Sequence, residues 1–227
     1  MFARGRNILT SDIDFMYESY KNLIERVEMS YTKELNYIED NIHSISTNDS
    51  IEYDEKRTLL SPYYDLAEGI HNEELLSRIA LFVSIFSFWE KSLLLMYKFY
   101  EKEILKEKKE RKEVLQVQDY LCALLDDERK QQIPKILMSQ LDELRNYCAH
   151  GSLPKKRVQV IKELIKNQQI GLVEIEDKYF FSSYEGLLDA LSIIRETLIF
   201  IQANHKFVED AGNGTVHVEK ALKGYEL

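Results

Sequence analysis

The segment Leu144-Arg145-Asn146-Tyr147-Cys148-Ala149-His150-Gly151 puts a guanidinium, a carboxamide and an imidazole within two helical turns. Arginine offers a rigid fork of donors to phosphate oxygens, and histidine titrates near neutrality and can move a proton. Asparagine can hold a ribose hydroxyl or orient a phosphate. The chemistry this set suits is phosphoryl transfer without a metal. RNA supplies its own nucleophile: the 2′-hydroxyl attacks the adjacent phosphate and leaves a 2′,3′-cyclic phosphate and a 5′-hydroxyl. His150 is the candidate for proton transfer, Arg145 for stabilising charge on the phosphoryl oxygens, and Asn146 for positioning. A helix C-terminus favours a protonated imidazole, which makes an acid role for His150 as plausible as a base role.

Other chemistries lack their residues. No glycine-rich phosphate loop precedes a Lys-Ser/Thr pair, and there is no His-Glu-x-x-His, no Cys-x-x-Cys and no nucleophile elbow. His71-Asn72-Glu73 has half of a deaminase signature, but no Pro-Cys-x-x-Cys follows. His43, His71, His205 and His217 share no ligand spacing, so no metal or cofactor is expected.

The elements that must carry the motif follow from periodicity. Apolar residues recur at helical spacing from Asp12 to about Ile45, which predicts a long first helix. A polar stretch at Ser44–Asp54 should end it, and Ser61-Pro62 should interrupt a shorter segment before His71. From Glu73 to about Lys109 a helix is expected, apolar almost all round as far as Trp89 and charged beyond. A short helix is expected over Val114–Leu125. Another should begin near Pro134, turn Ile136, Leu137, Leu141, Leu144 and Cys148 inward, and stop at Gly151-Ser152-Leu153-Pro154. The motif thus sits on its last two turns. After a helix over Lys155–Asn167, two short apolar runs within 170–181 around Glu176-Asp177 read as a small β-hairpin. A final helix from Tyr184 to Phe207 precedes a tail opened by Gly212-Asn213-Gly214.

Composition agrees with this. Only 3 Pro and 8 Gly among 227 residues, with 30% charged residues, suit long amphipathic helices rather than a turn-rich sandwich or barrel. The net charge of −9 argues against a protein that coats nucleic acid indiscriminately, yet leaves room for a local cationic site or a basic partner. Cys122 and Cys148 form no spaced framework, so a reducing, cytoplasmic setting is the expectation. The most apolar run, Ile79–Trp89, is shorter than the ~20 residues a membrane span needs, and no membrane association is expected.

Arg145-Asn146-x-x-x-His150 resembles the Arg-x4-6-His motif of the HEPN superfamily, in the form with a polar residue directly after the arginine. Phe86-Ser87-Phe88-Trp89-Glu90-Lys91-Ser92-Leu93 is similar to the earlier buried helix of that superfamily, which bears an acidic residue. The resemblance implies an all-α, up-and-down helical bundle over 73–207, with the hairpin as an insertion. It also implies a helical extension over 1–72 and a tail over 208–227. The additions resemble the larger bacterial HEPN proteins of toxin-antitoxin and phage-defence systems, which implies an endoribonuclease acting as a toxin or abortive-infection effector. RNA, tRNA included, would be the substrate, and an antitoxin or defence-system protein a partner. The alternative is a HEPN-like module that no longer cuts and serves assembly in a defence or toxin-antitoxin complex.

On an ideal helix Asn146 and His150 share a face, whereas Arg145 is rotated from His150 by about 140°. One helix focuses the three groups poorly. A second copy about a two-fold axis would bring Arg145 of one chain toward His150 of the other, so a homodimer with a composite site is expected. For the neighbours two readings stand side by side. Lys155, Lys156 and Arg157 track the RNA backbone or form a solvated helix start. Tyr147 stacks on a base or makes a core or dimer contact. Glu90 supports Arg145 or pairs with another base. Cys148 is read as packing rather than as a nucleophile.

Overall fold

The computed structural model describes residues 10–100, 117, 121, 135–151, 154–166, 170–175 and 178–204. The charged run Glu101–Glu113, most of Val114–Leu125, Pro134, the turn Glu176-Asp177, His205, His217 and the tail lie outside them. Among the described residues the chain is an all-α bundle with one small β-hairpin. Its elements are α1 (Thr10–Thr47), α2 (Tyr53–Tyr100), α3 (Lys135–His150), α4 (Lys155–Lys166), β1 (Leu172–Ile175), β2 (Lys178–Phe181) and α5 (Tyr184–Asn204). Val117 and Leu121 are helical and fully buried in the same core.

Helix α2 is the axis of the bundle. Its second half buries Phe82, Ile85, Phe86, Trp89, Leu93 and Met96 completely. Each such side chain stabilises the fold by about 1.5–3 kcal/mol through the water it leaves. Rings interlock here: Phe86 meets Trp89 edge-on at 4.6 Å, and Phe82 meets Phe181 of β2 at 5.0 Å. By length and composition α2 is apolar enough to cross a membrane. The shorter run Ile79–Trp89 is not, but the helix carries the apolar stretch on through Leu93 and Met96. Those side chains pack inside the protein's own core, as in the central helix of a bundle.

One expectation is corrected. Ser61-Pro62 does not interrupt the chain, because α2 runs unbroken through Pro62. The proline forfeits one backbone hydrogen bond, at a cost of roughly 3 kcal/mol, and packing against α1 offsets it. Ile38 and Ile70 are buried between the two helices, and Tyr31 Oη lies 2.8 Å from Ser77 Oγ. Residues 72 and 73 both lie inside α2. Ile13 and Ile24 of α1 belong to the same buried cluster as Trp89 and Leu141. Thr10 donates to Gln202 at 2.8 Å, and Arg195 pairs with Asp14 at 2.6 Å, fastening α1 to α5.

The α1–α2 connection is a compact polar turn in which Asn48 Oδ1 accepts from Ser50 N at 3.0 Å. The hairpin pairs Leu172 with Phe181 and Ile175 with Lys178. It packs on α2 and α5. A side chain at Gly186 on α5 would collide with the Ile170 carbonyl, so only glycine permits this close approach.

Candidate functional site

Helix α3 presents the motif. Met138, Leu141 and Leu144 are fully buried against the core, which fixes the rotation of the helix and leaves Arg145 and Asn146 half-buried beside α2. The helix ends as its sequence requires. Gly151 adopts φ +71°, and its N–H donates to the Tyr147 carbonyl at 2.7 Å. Pro154 then opens α4, its carbonyl accepting from Arg157 N at 2.8 Å.

Arg145 is held on several sides. Its Nη2 donates to Glu90 Oε1 of α2 and lies 3.8 Å from Asp142 Oδ1. Its Nη1 donates to Asn146 Oδ1 at 3.0 Å, and Asn146 Nδ2 in turn donates to Asp142 Oδ2 at 3.4 Å. The guanidinium carbon sits 5.5 Å from the Phe86 ring centre, and Nε is buried without a hydrogen-bond partner. The Arg145 side chain remains 22% exposed. Asp142 escaped the sequence reading, although an Asp three residues before an Arg is a spacing that brings helical side chains together.

His150, the last residue of α3, is exposed, and its side chain has no hydrogen bond or ion pair among the described residues. Within one chain the structure therefore joins Glu90, Asp142, Arg145 and Asn146 into one network and leaves His150 outside it. The neighbours divide. Arg157 is exposed and pairs with Glu143 at 3.4 Å, tying α4 to α3. Lys155 and Lys156 open α4. Tyr147 is half-buried, its ring meeting Tyr179 of β2 edge-on at 5.1 Å. Burial pushes the Cys148 thiol up to about 12, so it stays protonated at neutral pH. Burial, followed by the nearby Glu174 carboxylate, also raises the Tyr179 phenol.

A second arginine network, not foreseen from the sequence, lies about three turns earlier on α2. Arg78 Nη2 donates to Glu74 Oε1 at 2.6 Å, and Nη1 donates to the Phe181 and Ser182 carbonyls, each at 3.1 Å. The guanidinium carbon lies 4.7 Å from the Tyr184 ring centre. Burial, and then the Glu74 carboxylate, lifts the Tyr184 phenol to about 12.

Comparison of the chain with protein-family models, with curated proteins and with solved structures found no match. A functional reading therefore rests on the residues themselves. Among the described residues, no three His, Cys, Asp or Glu side chains cluster where they could share a metal ion.

Proposed function

We propose that the chain is a HEPN-type, metal-independent endoribonuclease that acts in the cytoplasm as a toxin or abortive-infection effector. The observation that carries this reading is the end of α3: a guanidinium oriented by carboxylates and a carboxamide, followed one turn later by an open imidazole. Preorganised charge of this kind stabilises a phosphoryl transition state, and removing one such donor typically costs about 10²–10³ in rate.

The reaction needs only RNA. The 2′-oxygen forms a bond to phosphorus as the bond from phosphorus to the 5′-oxygen breaks. One imidazole accepts the 2′-hydroxyl proton, and the 5′-oxygen leaves with a proton delivered by an acid. Two copies of the chain supply two imidazoles, one for each transfer, and place Arg145 of one chain near His150 of the other.

One observation favours a second reading, a HEPN-like module that binds without cutting. Three carboxylates (Glu90, Asp142 and Glu143) pair with two guanidinium groups (Arg145 and Arg157), so RNA phosphate would have to displace protein carboxylates to reach them. In the enzyme reading this pairing keeps an isolated chain quiet until a second copy or a partner protein joins it.

The test is incubation of the purified chain with tRNA and mixed RNA in EDTA, beside Arg145→Ala and His150→Ala. Cleavage by the unaltered chain alone, with 2′,3′-cyclic phosphate ends, is the expected result. RNA left intact at concentrations that saturate dimerisation would overturn it.

A further inference from the structure

The tip of the α1–α2 hairpin carries a groove far along the chain from the motif. Tyr53, Arg57, Ser61 and Tyr64 fall at helical spacing and lie within about 80° of one another around α2, forming a single stripe. Lys56 and Ser46 close the other side, with Lys56 Nζ donating to the Ser46 carbonyl at 2.9 Å. The groove is open and holds about 570 Å³.

Its lining is unusual for this chain. Acidic residues outnumber basic ones by 39 to 30, yet two cations and no carboxylate line the groove. Asp54 and Glu55 are next in sequence, but the helix turns them about 100° and 160° away from Tyr53. Arg57 has no carboxylate partner among the described residues. Tyr53 is 81% exposed and Tyr64 55%, so both rings are wet and available. A neighbouring groove between the same two helices shows the contrast: with Glu34, Asp65 and Glu73 against Lys33, it repels a polyanion.

We infer that the Tyr53–Tyr64 stripe is a docking site for single-stranded RNA, with bases stacking on the two tyrosines and phosphates lying against Arg57 and Lys56. This rests on the nuclease reading for its biological sense, because Tyr64 lies about 39 Å along α2 from Glu90, and a strand long enough to cover that distance would be substrate tethered for the site at the end of α3. Alternating aromatic and cationic side chains are what sequence-tolerant single-strand binding uses. The two tyrosines are 11 residues apart, about 16 Å along the helix, so a strand spans them and a lone nucleotide does not.

The test uses the full chain and a labelled 2′-O-methyl RNA 12-mer, which cannot be cut because its nucleophile is blocked, read by fluorescence anisotropy. Stacking contributes about 1–3 kcal/mol per base, so Tyr53→Ala and Tyr64→Ala should each weaken binding about 5- to 150-fold. Arg57→Ala should lower the slope of log affinity against log salt by about 0.7. Tyr37→Ala, at the acidic groove, should change nothing. Absence of binding by the unaltered chain, equal loss in Tyr37→Ala, or competition by a mononucleotide as strong as by the 12-mer would each overturn the inference. Because this readout involves no cleavage, it stands if the nuclease reading fails; cleavage that the stripe variants leave unchanged removes the stripe alone.

Discussion

Arg78 and Arg145 show the same fold using one residue type in two ways. Each pairs with a glutamate of α2, and each lies over an aromatic ring. Arg78 is 8% exposed and gives two of its donors to backbone carbonyls that cannot move without unmaking the hairpin end. Arg145 is more open, and all its partners are side chains on the surface side of α3 and α2. A guanidinium bound to main chain holds a fold together, whereas one held by movable carboxylates can exchange them for a phosphate.

The largest difference should come from deleting each arginine. Arg78→Ala leaves Glu74 and two carbonyls without their cation and should cost about 3–5 kcal/mol, read as the midpoint of urea unfolding. Arg145→Ala should barely move that midpoint but lower RNA cleavage by about 10²–10³. A reversal of the two effects would dissolve the distinction.

The glutamates sharpen it. Glu74→Gln should lower the melting temperature by about 2–4 °C, the shift that about 1 kcal/mol produces in a chain of this size. Glu90→Gln keeps an acceptor for Arg145 but loses the charge that orients it. It should reduce kcat about three- to tenfold, near 1 kcal/mol of charge-assisted hydrogen bonding, with the melting temperature unchanged. His150→Ala should leave stability within about 0.5 kcal/mol, as for an exposed side chain, while abolishing cleavage.

The last effect appears only in alkali. In the folded chain burial pushes the Cys148 thiol and the Tyr184 phenol each up to about 12, well above their ordinary ranges. The unfolded chain therefore releases these protons first, so the stability they contribute is intact below about pH 9 and is lost as pH rises toward 12. Cys148→Ala should flatten the pH 9–12 limb of the stability profile; an unchanged limb would assign the loss to other groups.

Much of this was legible in the sequence. Apolar spacing placed α1, α3, α4 and α5 within a few residues of their ends, and Gly151 with Pro154 marked where α3 stops. The hairpin was legible from its two apolar runs. Pro62 misled because a proline's local cost is visible in a sequence, whereas the packing of Ile38 against α2 that offsets it is not. Asp142 could have been read from its spacing to Arg145, while Arg78 could not, because its carbonyl partners lie 103 and 104 residues away.

By itself the sequence determined the local features: the helix periods, the glycine at the end of α3, and the arginine, asparagine and histidine it presents there. These follow from steric and solvation preferences acting over one or two turns. Only the tertiary structure decided which arginine is locked to backbone and which is held by side chains. It also decided that Glu90, 55 residues from Arg145, is its partner, and that Tyr53 and Tyr64 stay bare. Such pairings depend on how α2 lies against α1, α3 and the hairpin, and that is set by the burial of one shared core.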